Sequence, residues 1–184
     1  MLGALQRRGL HGVGLNELLA TAHAPKGVLY HHFPGGKAEL AVAAVESAVA
    51  HMNGSLERLL QRNAHPVDAL AAWMASAQKF LSASGFEQGC PLATIALEST
   101  PEDEAIRAAL ARGFAGIRER VAQALAASGL PDAQARNLAA LIVSAYEGAL
   151  LQARVAGQVD AMRETCDALL ELVRLQISAA APRA

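Results

Sequence analysis

Between Ala24 and Leu40 the chain carries Lys26, Tyr30, His31, His32 and Lys37, with no carboxylate before Glu39. Cationic and neutral donors beside flat rings suit phosphate oxygens and base edges, and they lack the acid–base pairing of a hydrolytic site. A metal role for His31 and His32 is disfavoured, because no Cys, Asp or Glu stands three or four residues from either one to complete a ligand set. The plain alternatives are a solvated histidine pair, a packed Tyr30 and an ordinary solvated Lys37. Gly27 removes a side chain where backbone would approach a base edge.

These residues need a short helix to present them. Leu29 and Phe33 are four apart and share a face, with Val28, Leu18, Leu19 and Ala22 as expected packing partners. Pro25 starts a helix over Lys26 to His32, and Pro34-Gly35-Gly36 ends it. A preceding helix spans about Leu15 to Ala22, with His23-Ala24-Pro25 as the turn. The pair forms a helix-turn-helix whose second helix enters a major groove. Backbone N–H groups at Gly14-Leu15 and at Pro25-Lys26-Gly27 are expected to meet phosphate oxygens, and Lys37 an adjacent phosphate.

Proline and glycine punctuation places the other helices at Met1 to Arg8, Lys37 to Arg62, Pro66 to Ala83, Leu92 to Glu98, Pro101 to Ala127, Pro131 to Ala156 and Asp160 to Ser178. In the fourth helix Leu40, Ala44, Val45, Ala48, Val49, Met52 and Leu56 recur at three- and four-residue steps. The expected fold is all-α: an N-terminal three-helix DNA-binding head over 1–40, then a helical bundle over 41–184.

Composition agrees. Hydrophobic residues make up 53% and aromatics 4%, an Ala- and Leu-heavy mix that favours packed helices. The net charge of −1 conceals an asymmetry. Residues 1–37 hold four basic residues against Glu17, a net +3, while the rest holds 12 basic against 16 acidic, a net −4. A basic end on an acidic body fits one end meeting phosphates. No run approaches the length of an uncharged membrane span and no apolar leader opens the chain, so a cytoplasmic protein with no membrane partner is expected. Cys90 and Cys166 lack metal or disulfide spacing and read as buried thiols. No E-x-x-H, H-E-x-x-H, nucleophile elbow or P-loop is present. The expectation is a non-enzyme without a cofactor.

The string Gly27-Val28-Leu29-Tyr30-His31-His32-Phe33, followed by Gly36-Lys37-Ala38-Glu39-Leu40, resembles the helix-turn-helix of the TetR family of bacterial regulators. Gly89-Cys90-Pro91-Leu92-Ala93-Thr94-Ile95-Ala96-Leu97-Glu98 is similar to the branch of the lincomycin-resistance repressor and YxaF. The resemblance implies DNA contacts from Lys26, Gly27, Tyr30, His31 and His32, with Tyr30 and Lys37 as phosphate clamps. Val13-Gly14 stand where that family usually has Thr or Ser, and His23 where it usually has Gly. The first helix is short.

Trp73, Phe80, Phe86, Phe114 and Tyr146 are either core or the lining of a ligand cavity. Glu98 and Glu147, carboxylates in apolar stripes, need partners. Each either recognises a ligand or caps a helix or pairs with Arg107 or Arg154. Leu138, Leu141, Ile142, Ala145, Ala149 and Val155, then Met162, Leu169, Leu172, Val173 and Gln176, exceed one core's needs, and Ser144 and Gly148 permit close helix approach. The resemblance implies that these last two helices build a homodimer, placing two heads on a palindromic double-stranded DNA operator. The resulting reading is a repressor released by a small-molecule effector. The alternative is a helical ligand-binding or interaction module with a weakened head.

Overall fold

The structure, a computed structural model, describes residues 2–180; Met1 and residues 181–184 of the expected domains lie outside the described residues. The described residues form nine helices: α1 (Leu2–Arg8), α2 (Leu15–Thr21), α3 (Lys26–His32), α4 (Gly36–Arg62), α5 (Pro66–Ala83), α6 (Pro91–Glu98), α7 (Glu104–Ala127), α8 (Asp132–Ala156) and α9 (Asp160–Ala180). The punctuation places most boundaries within a residue or two. The start of α7 is the exception. Instead of following Pro101, the helix waits for Glu104, because the Thr100 N–H and hydroxyl both donate to the Asp103 carboxylate at 2.9 and 3.1 Å and close a turn over Pro101-Glu102.

Two compact units emerge, and they do not follow chain order. The first contains residues up to Ala50 together with Gln88–Phe114, that is α1 to α3, the first part of α4, α6 and the start of α7. Its buried residues include Leu5, Leu10, Val13, Leu18, Leu19, Leu29, Val45, Leu92, Ile95 and Ile106. Helices α1 and α6 pack on each other, as do α2 and α3. Gly113 of α7 allows a tight approach: a Cβ there would stand 2.6 Å from Val49 and 3.2 Å from Leu92.

The second unit contains His51–Glu87 and the chain from Ala115 onward. Gly157, left-handed at φ 68°, ends α8 and returns the chain into α9 after a short turn. Helix α5 packs on both α8 and α9. Leu70, Trp73, Met74, Ile142, Tyr146, Ala149, Met162, Leu169 and Val173 are buried here, and each large apolar side chain so buried contributes about 1.5–3 kcal/mol. Helix α8 is long and apolar enough to cross a membrane by length and composition, against the expectation from the chain's charge spacing. Its face Leu138, Ile142, Tyr146, Ala149 and Ala153 is buried in the protein, which accounts for that apolar character in a bundle helix.

Candidate nucleic-acid interface

Helix α2 begins at Leu15 after Gly14, which is extended at φ −75° and ψ 140° and offers no side-chain cap. Both Leu18 and Leu19 are buried, whereas Ala22 is exposed and does not join them. His23 then takes φ 50°, the left-handed conformation that histidine tolerates better than most residues. The Ala24 N–H donates to the Leu19 carbonyl at 3.0 Å. Pro25 starts α3 with φ −65° and ψ 148°.

Only one residue of α3 is buried: Leu29, at 7% exposure. Phe33, expected beside it, is half-buried and caps the helix, and Val28 is 47% exposed, so it faces outward instead of packing. Adjacent residues of a helix point in different directions, so Val28 does not share the inward side of Leu29, whereas the four-residue step carries Phe33 onto it. Lys26, Gly27, Tyr30, His31 and His32 are all exposed, Tyr30 at 50%. The His31 and His32 rings meet edge to face with centroids 5.0 Å apart. Open space surrounds the position a Cβ would take at Gly27.

Tyr30 is seated by the next turn. Gly36 is left-handed at φ 64°, and a Cβ there would stand 3.4 Å from the Tyr30 ring. Nearby, the Gly35 N–H donates to the Glu39 carboxylate at 2.8 Å, which closes the start of α4, where Lys37 is half-buried. Neither Lys26 nor Lys37 makes a salt bridge among the described residues. Arg8 does: its guanidinium donates to Glu17, and that hydrogen bond holds the Glu17 carboxyl low and the guanidinium high. Of the head's remaining cations, Lys26 lies on α3 and Lys37 at the start of α4, two residues before Glu39.

Val13, which stands where a hydroxyl was expected by resemblance, is fully buried. It belongs to the core of the head, so no phosphate contact comes from it.

The other candidate residues fall in different places. Trp73 and Tyr146 are buried and stacked, with centroids 5.3 Å apart and planes 29° apart. Phe80 is exposed, and Phe86 is half-buried in a left-handed conformation after α5. Glu147, beside Tyr146 on α8, is half-buried. Phe114 and Glu98 belong to the first unit. The Glu98 carboxylate accepts the His11 backbone N–H at 2.8 Å, and its carbonyl lies 3.1 Å from His11 Nε2. Nothing local in the sequence signals that pair, whose members are 87 residues apart.

The family profile described as the LmrA/YxaF-like transcriptional regulator C-terminal domain matches residues 66–168, and that of the bacterial regulatory proteins of the tetR family matches residues 3–44. The chain belongs to the TetR family. An uncharacterised HTH-type transcriptional regulator of Mycobacterium tuberculosis is 32% identical over 156 residues, 82% of this chain and 78% of that protein. The HTH-type regulator LmrA of Bacillus subtilis is 26% identical, with 79% and 78% covered. The repressor NemR of Escherichia coli K12 is 32% identical, with 81% and 77% covered. Among solved structures, a regulatory protein TetR from Rhodobacter sphaeroides superposes with a TM-score of 0.81 at 28% identity, covering 92% of this chain and 93% of that one. The reduced form of E. coli NemR gives 0.76 at 28% identity, with 91% of each chain covered. This TetR-family protein is a DNA-binding transcriptional regulator with an N-terminal helix-turn-helix and a helical C-terminal domain.

Proposed function

We propose that this regulator is a repressor that binds a palindromic operator as a homodimer and leaves it when a small molecule binds among its C-terminal helices. The observation that carries the reading is the surface of α3: one buried leucine, and an outward set of Lys26, Gly27, Tyr30, His31 and His32 without a carboxylate. In this reading Lys26, Tyr30 and Lys37 grip phosphates, and His31 and His32 read base edges. Gly14 and Leu15 lie at the start of α2, where the chain would pass the neighbouring strand.

Two-fold pairing is supported by α8 and α9. Leu141, Leu151 and Val155 are exposed large apolar residues on α8, and Ser144 and Gly148 share their three- and four-residue spacing. Leu175 continues the exposed apolar surface on α9. Such a stripe on two neighbouring helices fits a second copy of itself as a four-helix bundle. The stacked Trp73 and Tyr146 form an aromatic wall suited to an apolar effector. Phe80, Phe86, Phe114, Glu98 and Glu147 complete the candidate set by sequence, with Trp73 and Tyr146 the two that the fold brings together. The head is assigned to residues 1–40 and the ligand and dimer functions to 41–184, with action on DNA in the cytoplasm.

Anisotropy titration of the purified protein against DNA flanking its own gene tests this. Salt-sensitive binding with a two-fold symmetric footprint is expected. Absence of salt-sensitive binding to any flanking duplex overturns it.

A further inference from the structure

Helix α6 lies between α5 and α7 along the chain, yet it is grouped with the head and packs on α1. Two polar ties hold that packing, one at each end of α6. Before its first residue, the Gly89 carbonyl accepts the Gln6 side-chain amide at 2.9 Å, and Gln6 is the single buried polar side chain in the described core. At its last residue, the Glu98 carboxylate accepts the His11 N–H at 2.8 Å, and the Glu98 carbonyl lies 3.1 Å from His11 Nε2, close enough to accept from that ring nitrogen.

The loop between α1 and α2 is shaped around this carboxylate. Gly9 is left-handed at φ 71°, and a Cβ there would stand 1.6 Å from Glu98 Oε1. The loop backbone therefore passes against the acid in a space that no other residue type leaves. Five residues after Gly9 the chain reaches Gly14 and α2, the first helix of the helix-turn-helix.

We propose that Glu98 and Gln6 are positioning residues for DNA binding. Together they pin α1 and the α1–α2 loop to α6 and thereby set the angle at which α2 and α3 are offered to DNA. In this role Glu98 acts inside the protein, through His11. A carboxylate accepting a backbone N–H is a charge-assisted bond, stronger than a neutral one and directional. With α1 only seven residues long, helix packing alone gives the loop little support. The DNA part of this inference rests on the reading above.

The test uses the full-length protein with Glu98→Ala, Glu98→Gln and Gln6→Leu. Amide exchange in the free protein is read first. In Glu98→Ala, exchange across residues 9–14 quickens by about tenfold, the loss expected of one hydrogen bond to a charged acceptor, while α8 and α9 keep the wild-type rate. Glu98→Gln keeps an oxygen for the His11 N–H and restores most of the protection. Gln6→Leu loosens α1 and the residues around Gly89 together. Unchanged exchange at 9–14 in Glu98→Ala overturns the inference, as does a Glu98→Gln variant as loose as alanine.

Affinity for the flanking operator duplex is read second. Glu98→Ala weakens it about tenfold with an unaltered salt slope, since no phosphate contact is lost, and Glu98→Gln restores it. A changed slope, or unchanged affinity in a loosened loop, overturns the positioning role. If no variant and no wild-type protein binds any duplex, the DNA reading fails, and the exchange data still decide whether the tie exists.

Discussion

Replacing Lys37 with alanine removes a half-buried cation that makes no salt bridge among the described residues and adjoins the turn seating Tyr30. If Lys37 faces one phosphate in each head, a two-fold dimer loses two such contacts. Each contributes about 0.9 to the slope of log K against log salt. The slope should therefore fall by about 1.8, and across a roughly fourfold rise in salt the variant should lose about tenfold less affinity than wild type does. The weakening should be the same on operator and unrelated duplexes, because phosphates carry no sequence. Arg8→Ala is the internal control. Its guanidinium is already engaged by Glu17, so its removal should change the slope by clearly less. His31→Ala should instead reduce the preference for operator over unrelated DNA by a factor set by about 1–3 kcal/mol and leave the slope unchanged. Anisotropy titrations at four or five salt concentrations measure all three. A Lys37→Ala slope equal to wild type, or equal slope changes in Lys37→Ala and Arg8→Ala, would refute the assignment of the phosphate contacts.

Gly36→Ala forces an L-residue to φ 64° beside the Tyr30 ring and should cost about 1–2 kcal/mol in urea unfolding, with weakened operator binding through the displaced ring. Val13→Thr restores the hydroxyl usual in the family but places it in a fully buried position; a loss of about 1–3 kcal/mol without gain in DNA affinity is expected, and tighter binding would contradict the core role. Burial pushes the Cys166 thiol up, with the Gln78 hydrogen bond opposing it. Its stabilising contribution is therefore complete below the unfolded thiol value of about 8.5 and is lost as pH rises toward the folded value. Cys166→Ala should flatten the alkaline fall of stability in denaturant titrations at graded pH, and an unchanged fall would refute the attribution.

The helices and their order were legible in the residues, because local rules govern them. Pro25, Pro66 and Gly157 stop and start helices through φ and the missing N–H, and the three- and four-residue spacing of Ala44, Val45, Ala48 and Leu56 marks a helix with one buried side. The helix from Lys26 to His32 and the turn before Lys37 were legible for the same reason, being a single short helix and its following turn. Which side of that helix is inward was read only in part. Val28 and Ala22 had the composition of core residues, and only the packing of α2 on α3 shows that Leu29 suffices. Val13 is the converse, a residue whose position suggested a lost phosphate contact and whose burial makes it core.

Compactness depends on contacts between distant segments, which periodicity does not encode. A boundary near residue 40 follows from the run of the chain, whereas the grouping of α6 with α1 arises from Gln6 meeting Gly89 and His11 meeting Glu98 across more than eighty residues. Likewise, one apolar stripe in α8 looked larger than one core needs, and only the fold separates buried Leu138, Ile142 and Ala149 from exposed Leu141, Leu151 and Val155. Sequence by itself determined the helices, their punctuation and the chemistry of the recognition segment, since each is settled within a few turns of backbone. Tertiary structure alone decided the partner of Glu98 and the outward face of the bundle, since a carboxylate's partner and a side chain's exposure are set by whatever the fold brings against them.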